Sequence, residues 1–273
     1  MKQRLDLKLV ELGLAPTREQ AQKWIRAGWV QVDRQVLDKP GTEIASNVEI
    51  VVHQKAPYVS RGGEKLAGAI AQFQVAIAGR VALDGGISTG GFTDLLLQGG
   101  AMRVYGIDVG YGQVAWEIRS DPRVVLRERT NLRYLTAAEL YGSENPLPDL
   151  AVLDLSFISL TKILPNLWHL LQSPRESLCL VKPQFEAGRE AVGKHGLVRD
   201  RHVHAQVLSQ VLTTAIAQGW SYGGMVPSPI TGRTGNQEYW LRLGEGFGTS
   251  PPTTDSFFAQ IEHYGPNPNA QNL

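Results

Sequence analysis

Two apolar runs in the middle of the chain each end in a charged side chain that could take part in proton transfer. Asp154 follows the apolar residues 150–153, and Lys182 follows the apolar residues 178–181. Polar groups at the carboxyl ends of neighbouring parallel strands converge on one crevice, so we expect these two side chains to lie close together. Because burial disfavours the charged form of a lysine, Lys182 is suited to act as a general base that Asp154 orients. Pro183 holds the backbone of Lys182 extended rather than helical.

Each of these residues also has an ordinary structural interpretation. A lysine at the edge of a sheet can extend its charged end to solvent while its methylene groups stay covered. Asp154 can cap a helix that begins after Ser156. Both residues follow adjacent strands beside a glycine-rich loop, which favours the catalytic interpretation.

That glycine-rich loop runs from Asp84 to Asp94 with the sequence DGGISTGGFTD. Glycines allow the backbone to approach a ligand closely at the carboxyl end of a sheet. The spacing is not the G-x-G-x-x-G pattern of dinucleotide-binding folds, and Asp84 would repel a pyrophosphate. A glycine-rich turn is nevertheless common in any doubly wound protein, so the glycines alone do not decide the ligand.

Acidic residues at two strand ends indicate which ligand the loop binds. A cationic sulfonium ligand with an amino group fits beside Asp84, and Asp108 is placed to accept hydrogen bonds from ribose hydroxyls. The sequence therefore predicts S-adenosylmethionine as the cofactor. The predicted cofactor-binding residues are Asp84, Gly85, Gly86, Ser88, Gly90, Gly91, Phe92 and Asp108.

Short apolar strands alternate with helical segments from about residue 80, which is typical of a parallel sheet covered on both faces. The predicted fold class is α/β, a doubly wound Rossmann-like sheet preceded by a small α+β domain. The predicted strands of the sheet are 81–84, 104–108, 124–126, 150–154 and 178–182. Helices are predicted at 160–171 and 203–218, followed by an antiparallel pair at 222–226 and 237–243.

Composition narrows the class of protein. The 273 residues are 42% hydrophobic and 19% charged, so the chain can bury a core. Lys and Arg number 27 against 26 Asp and Glu, a net charge of +1, which excludes a wholesale polycation but not a local basic face. The single cysteine excludes a disulfide framework and a multi-thiolate zinc site.

The chain shows neither a signal-peptide core at its N-terminus nor a run of the roughly 20 apolar residues that a membrane span needs. Asp84, Asp108 and Asp154 interrupt its most apolar runs. We therefore expect a soluble, cytoplasmic protein with no stable membrane association.

The front of the chain is more basic than the rest. Residues 1–65 hold eleven Lys and Arg and eight Asp and Glu, a net charge of +3. Leu5, Leu9 and Leu12 form a helical stripe, and Thr17 begins a second helix. The predicted elements here are helices at 5–12 and 17–27 and strands at 29–32 and 48–52.

The segment TREQAQKWIRAGWVQVDRQV, residues 17–36, resembles the S4-like RNA-binding domain. The resemblance implies that the second helix presents Arg18, Lys23 and Arg26 to structured RNA, with Arg61 as a further RNA-binding residue. Such contacts fix position through phosphates rather than read sequence. The alternative interpretation is a small domain whose charges are only a solvated face.

Six motifs in order resemble the TlyA (haemolysin A) family, in which an S4-like domain is joined to an FtsJ-type ribose methyltransferase. They are SRGGEKL, DGGISTGGFTD, GIDVGYGQ, DLSFISL, VKPQFEAGR and GNQEYW, and the likeness extends to about Gly244. The resemblance implies four segments: an S4-like domain at 1–58, a linker and the start of the catalytic domain at 59–79, the methyltransferase at 80–244, and a loosely held tail at 245–273. Gly86-Ile87 replaces the usual pair of small residues, which changes bulk but not charge, so we expect cofactor binding to be retained.

The same resemblance implies a catalytic tetrad at Lys65, Asp154, Lys182 and Glu238. In this scheme Lys182 is the base, while Lys65 and Glu238 position the ribose and tune the pair. The implied reaction is 2′-O-methylation of cytidine in ribosomal RNA, with ribosomal RNA or ribosomal subunits as partners.

Other methyl acceptors fit the sequence less well. Enzymes that methylate exocyclic base amines typically have a Pro-Pro pair after the fourth-strand acid, where this chain has Leu155-Ser156. Methylation of pyrimidine carbon-5 needs an exposed cysteine nucleophile, whereas Cys179 lies in an apolar run. His202-x-His204 has no supporting ligand cluster, so no metal site is predicted.

Two further functions remain open. One is an RNA-binding protein with an inactive methyltransferase fold, which the presence of all four tetrad residues disfavours. The other is a haemolysin-like protein that acts on membranes indirectly, since the sequence has neither a span nor a strongly amphipathic basic helix.

Overall fold

A computed structural model describes residues 2–26, 29–33, 35–52, 57–142, 145–232 and 235–265. The chain forms two compact units, Met1–Pro57 and Tyr58–Leu273.

The first unit contains two helices and two small antiparallel sheets. Strands β1 and β4 pair in one sheet, and the other has the order β3-β2-β5. Its elements are β1 (Lys2–Arg4), α1 (Leu5–Glu11), α2 (Arg18–Arg26), β2 (Val30–Val32), β3 (Gln35–Val36), β4 (Glu43–Ala45) and β5 (Ile50–Val52).

Both predicted helices of the first unit are present. Leu5 and Leu9 of α1 are fully buried, together with Ala21 and Ile25 of α2. Leu12 of the predicted stripe is half exposed, because α1 ends at Glu11 before the stripe makes another turn. The helices therefore pack through the apolar faces that the periodicity predicts.

The second unit is built on a seven-stranded sheet of order β11-β12-β10-β9-β6-β7-β8. Strands β8, β7, β6, β9 and β10 are parallel, whereas β12 is antiparallel to both β10 and β11. The strands are β6 (Val81–Gly85), β7 (Arg103–Ile107), β8 (Val124–Arg127), β9 (Leu150–Leu153), β10 (Glu176–Val181), β11 (Ser221–Pro227) and β12 (Tyr239–Gly244).

Helices cover both faces of this sheet, so the predicted doubly wound α/β fold is confirmed. Helices α3, α4 and α5 pack on one face, and α6, α7, α9 and α10 pack on the other. The helices are α3 (Arg61–Phe73), α4 (Gly91–Gln98), α5 (Trp116–Arg119), α6 (Ala137–Tyr141), α7 (Leu164–Leu170), α8 (Pro183–Glu186), α9 (Arg201–Ala217) and α10 (Thr254–Tyr264). Of the strands, β6 and β9 are buried along their whole length, as expected for a sheet covered twice.

Helix α3 occupies most of residues 59–79, where the sequence predicts a linker and the start of the catalytic domain. Three glycines, Gly62, Gly63 and Gly68, weaken its helical signal. Packing compensates for this, because Leu66 and Ala69 are fully buried and Gly63 lies against Tyr58. A Cβ added at Gly63 would lie 2.2 Å from Cγ of Tyr58, so the glycine permits this close approach.

The loosely held tail expected over 245–273 needs a correction for residues 254–264. These form α10, which packs against α9, and Thr253 caps it by accepting a hydrogen bond from the Ser256 N–H. Phe257 and Ile261 are buried in the core of the second unit. The helix was not predicted because the segments on either side of it are rich in residues typical of loops. Residues 266–273 lie outside the described part of the chain.

Among the described residues, no helix combines the length and the apolar character that crossing a membrane requires.

Truncation of the buried tail side chain should destabilise the second unit. Phe257→Ala leaves a cavity beside Tyr222, whose ring centroid lies 6.0 Å away. We expect a loss of about 3–5 kcal/mol in the free energy of unfolding, measured by urea denaturation. Tyr264→Ala removes a half-exposed aromatic from the same helix and should cost less than about 1 kcal/mol. Equal, small losses in both variants would mean that the tail helix is not docked.

Candidate active site

The carboxyl ends of the parallel strands open into a pocket of about 1130 Å³. Its walls come from the segments after β6, β7, β9 and β10, from the start of α3, and from the segment before β12. Such a crevice is where ligands bind in open α/β sheets. All four residues of the predicted tetrad line it: Lys65, Asp154, Lys182 and Glu238.

Lys182 and Asp154 form an ion pair in this pocket. Nζ of Lys182 lies 2.5 Å from Oδ1 of Asp154 and donates a hydrogen bond of 3.1 Å to Oγ of Ser156. Lys182 is only 8% exposed, and its backbone is extended immediately before Pro183, as the sequence predicts. Burial makes an unpaired ammonium costly, so the carboxylate is what allows the lysine to lie here.

A second ion pair joins Lys65 and Glu238. Nζ of Lys65, in α3, donates a hydrogen bond of 2.6 Å to Oε2 of Glu238, which is 2% exposed. Glu238 directly precedes β12, and the partner of Tyr239 in β10 is Val181. Glu238 therefore lies beside Lys182 across the sheet, and the two ion pairs share one wall of the pocket.

Asp108, after β7, is held in a fixed orientation at the other end of the pocket. Its Oδ2 accepts a hydrogen bond of 2.8 Å from the Ser88 N–H, and its Oδ1 accepts one of 2.7 Å from the Gly110 N–H. Each carboxylate oxygen retains acceptor capacity on the pocket side. This arrangement suits recognition of a pair of hydroxyl groups.

Asp84 lies at the end of β6 with its side chain fully buried. Oδ2 accepts a hydrogen bond of 2.7 Å from Oγ1 of Thr93, whereas Oδ1 has no hydrogen-bond partner among the described residues. Burial, with smaller contributions from the negative charges of Asp154 and Asp108, raises the pKa of Asp84 to about 7. Asp84 and Asp108 at one edge of the sheet disfavour an anionic ligand and would be stabilised by a cationic one, whereas Lys182 compensates the charge of Asp154.

The residues present therefore fit a sulfonium cofactor better than a dinucleotide. Five of the eight residues predicted to bind it line the pocket: Gly86, Ser88, Gly91, Phe92 and Asp108.

The other three residues predicted to bind the cofactor, Asp84, Gly85 and Gly90, do not line the pocket. Gly85 is required by packing, because a Cβ there would lie 2.5 Å from Cδ2 of Leu153. Gly90 has a φ of +97°, which a glycine adopts without strain. Packing and backbone conformation therefore account for these two glycines, and their part in cofactor binding stays a prediction.

Comparison with known proteins agrees with this geometry. The family model described as FtsJ-like methyltransferase matches residues 58–245, and the S4 domain model matches residues 3–50. A relative from Mycobacterium tuberculosis, named 16S/23S rRNA (cytidine-2′-O)-methyltransferase TlyA, is 45% identical over 88% of this chain and 89% of its own. The chain belongs to the TlyA family.

Two further relatives extend the match. A candidate rRNA methyltransferase of Bacillus subtilis, YqxC, is 49% identical over 90% of this chain and 88% of its own. The solved structure of a candidate hemolysin from Streptococcus thermophilus covers 96% of both chains at 40% identity, with a TM-score of 0.71. The resemblance to the TlyA family and the S4 and FtsJ-like domains expected from the motifs are confirmed.

In this TlyA family member, the only cysteine is unsuited to nucleophilic catalysis. Cys179 lies inside β10, fully buried, with its Sγ 3.3 Å from Oγ of Ser177. Burial raises the pKa of the Cys179 thiol to about 12. The reactive thiolate is therefore scarce at neutral pH, as the interpretation of Cys179 as a core residue implies.

The two histidines of the H-x-H sequence point to different environments. The His202 ring stacks on Phe258, while His204 is buried between the hydroxyl of Tyr239 and the carbonyl of Val198, each 2.8 Å away. Across the described ranges, no cluster of three or more His, Cys, Asp or Glu side chains is arranged to hold a metal ion.

The residues predicted to bind RNA lie in both units. Arg18, Lys23 and Arg26 are exposed on α2, and Arg18 also donates a hydrogen bond of 3.0 Å to the buried Asp6. Because Asp6 compensates part of its charge, Arg18 is less available than Lys23 and Arg26 to bind a phosphate. In the second unit, Arg61 is exposed at the start of α3 and lines the pocket.

The role of Ser156 was not predicted from the sequence: its hydroxyl accepts a hydrogen bond from Lys182. The available signal was its position two residues after the strand-end acid, where we expected only the start of a helix. The structure instead has a loop there, and a 3-10 turn (Leu160–Lys162) precedes α7.

Asp84→Asn should flatten the pH dependence of stability between about pH 4 and pH 7. The pKa of Asp84 is about 7 in the folded protein against an ordinary value of 3.8, so the folded state holds a proton that the unfolded state has released. This contribution favours folding below that window and falls as pH rises, by at most about 1.4 kcal/mol per pH unit. The amide does not titrate and removes it.

The measurement is urea denaturation at a series of pH values for the wild type, Asp84→Asn and Asp255→Asn. Asp255 is an exposed carboxylate in the first turn of α10 and serves as the matched control. Identical pH slopes for the wild type and Asp84→Asn would contradict the raised pKa.

Proposed function

We propose that this protein transfers a methyl group from S-adenosylmethionine to the 2′-hydroxyl of a cytidine ribose in ribosomal RNA, with Lys182 as the general base. The observation that supports this most strongly is the buried Lys182–Asp154 ion pair beside the Lys65–Glu238 pair. The name of the Mycobacterium tuberculosis relative supports the choice of cytidine and ribosomal RNA.

S-adenosylmethionine, when bound, would supply a methyl group made electrophilic by its positive sulfur, and the carbon–sulfur bond would break to leave a neutral thioether. The residues that would hold it are those of the acid-rich end of the pocket. Asp108 would bind ribose hydroxyls. Asp84 has a pKa of about 7 without a ligand, and the cationic part of the cofactor would favour its ionised form. The loop around Gly86 and Ser88 would lie against the ligand.

Lys182 would receive the proton of the attacking hydroxyl. A ribose hydroxyl is a poor nucleophile, so a base must take its proton as its oxygen bonds to the methyl carbon. Lys182 would act in its neutral form, after its ammonium has lost a proton to solvent. Its Nζ then accepts the proton of the hydroxyl, and the Asp154 carboxylate at 2.5 Å stabilises the ammonium that forms again. Ser156 fixes the direction of Nζ by accepting its hydrogen bond.

Lys65 and Glu238 would position the ribose. Their hydrogen bond of 2.6 Å keeps both charged groups in place beside Lys182 without adding net charge to the pocket. Holding two reactants in the correct orientation can lower the activation free energy of their reaction substantially.

The first unit would provide affinity for RNA. Lys23 and Arg26 lie on the same exposed face of a helix in an S4 domain. Cations of this kind bind phosphates and therefore position RNA without reading its sequence.

Replacement of the base should abolish turnover but spare cofactor binding. Lys182→Met should lower the single-turnover rate on ribosomal RNA by about 10²–10⁴-fold, the usual worth of a general base. Lys182→Arg should be almost as slow, because a guanidinium stays protonated. Calorimetric titration should find S-adenosylmethionine affinity little changed in both, whereas Asp108→Ala should weaken that affinity first.

Lys162→Met, at an exposed lysine of the same unit, is the matched control and should keep wild-type turnover. Near-normal turnover of Lys182→Arg would make Lys182 an electrostatic anchor and assign the proton to another group.

Charge reversal on α2 should weaken RNA binding and reduce its dependence on salt. Each lost phosphate contact removes about one unit from the slope of log affinity against log salt, so Lys23→Glu with Arg26→Glu should lower the slope by about two. The exchange Lys23→Arg with Arg26→Lys keeps both charges and should preserve the slope. Filter binding over a salt series measures both, and an unchanged slope in the reversed variant would refute the assignment.

A further inference from the structure

The loops that carry Asp154 and Lys182 are bound to each other by more than their ion pair. We call residues 154–163 the β9 loop and residues 182–187 the β10 loop. The rings of Phe157 and Phe185 contact each other across the two loops, with centroids 4.9 Å apart. Nζ of Lys182 also lies 5.7 Å from the centroid of Phe185.

Glu186 makes the strongest of these additional contacts. Its Oε2 accepts a hydrogen bond of 2.5 Å from the hydroxyl of Ser159, and its Oε1 accepts one of 2.8 Å from the backbone N–H of Leu160. Both donors belong to the β9 loop, whereas Glu186 ends α8 in the β10 loop. One carboxylate therefore ties the two loops together with two charge-assisted hydrogen bonds.

Glu186 lies close enough to Lys182 for these hydrogen bonds to affect the position of the lysine. Helix α8 begins at Pro183, so Glu186 is separated from Lys182 by a single short turn. Ser159 in turn caps the 3-10 turn at Leu160 by accepting a hydrogen bond of 3.1 Å from the Thr161 N–H. A shift of the Glu186 carboxylate would therefore move the backbone of both the β9 loop, which carries Asp154, and the β10 loop, which carries Lys182.

The contact is also costly to lose. Leu160 is buried, so its N–H has no water to replace a missing acceptor. Burial raises the pKa of Glu186, which agrees with a carboxylate enclosed between the loops. Glu186 does not line the pocket, so it has no direct access to a substrate there.

We propose that Glu186 is a positioning residue that holds the β9 and β10 loops together so that Asp154 and Lys182 keep the geometry needed for proton transfer. The catalytic consequence rests on the proposed function, because it requires Lys182 to be the base. The structural part of the proposal, that Glu186 links the two loops, does not depend on the proposed function.

Kinetic variants test the catalytic consequence. Glu186→Ala should lower kcat by about 10²-fold, the effect of a displacement on the order of 1 Å, while KM for S-adenosylmethionine stays close to the wild type. Glu186→Gln should recover most of the rate, because its amide oxygen can accept from Leu160 and its NH₂ can donate to the Ser159 hydroxyl. Ser159→Ala should lower kcat in the wild type but add little in the Glu186→Ala background.

Glu190→Ala removes an exposed glutamate four residues further on and is the matched control, with unchanged kcat and KM expected. Hydrogen exchange followed by mass spectrometry supplies a readout that does not depend on catalysis. In Glu186→Ala, exchange should rise in the β9 and β10 loops and stay unchanged in the glycine-rich loop after β6. If Glu186→Ala fails to fold, Ser159→Ala is measured in the same two ways.

The outcomes separate the two claims. Absence of methyl transfer by the wild-type protein would reject the proposed function, while the exchange data would still decide whether Glu186 joins the loops. Normal kcat in Glu186→Ala, or in Ser159→Ala where only that variant folds, would overturn the positioning role if the wild type is active. Unchanged exchange in the two loops would overturn the joint itself.

Discussion

The active site depends on two buried ion pairs, because a single unpaired charge at this edge of the sheet would be unstable. Lys182 and Glu238 are both almost completely buried, and each lies within 2.6 Å of an opposite charge. Removing one partner of such a pair typically costs about 3–5 kcal/mol, because the remaining charge is left without compensation. The pocket therefore holds two lysines and two carboxylates as one nearly neutral group, in which each charge requires the others.

The topology of the sheet explains how residues so distant in sequence reach this group. Asp154 and Lys182 follow parallel strands and so reach the carboxyl edge directly. Glu238 precedes β12, and because β12 runs antiparallel to β10, its beginning lies at that same edge. Helix α3 then places Lys65 against Glu238, closing a contact that spans 173 residues. A parallel seventh strand would have put Glu238 at the opposite edge.

The strands and the strand-end pair were predictable from the sequence, because apolar runs followed by Asp154 and Lys182 leave few other arrangements. Lys65 and Glu238 came only from the family motifs, since no local pattern connects a glycine-rich helix with a residue 173 positions later. Gly85 and Gly90 were predicted to bind the cofactor, and the structure adds a second reason for glycine at each: packing against Leu153 and a positive φ. The tail helix was missed because two buried side chains decide its docking, not its composition.

The most direct test of the account is to identify the nucleoside that receives the methyl group. Ribosomal subunits are incubated with the protein and S-adenosylmethionine labelled on its methyl carbon, and the RNA is digested to nucleosides and separated by chromatography with mass spectrometry. The label is expected on 2′-O-methylcytidine, carried by the ribose fragment. Label on a base fragment, or no transfer by folded, cofactor-binding protein, would contradict it.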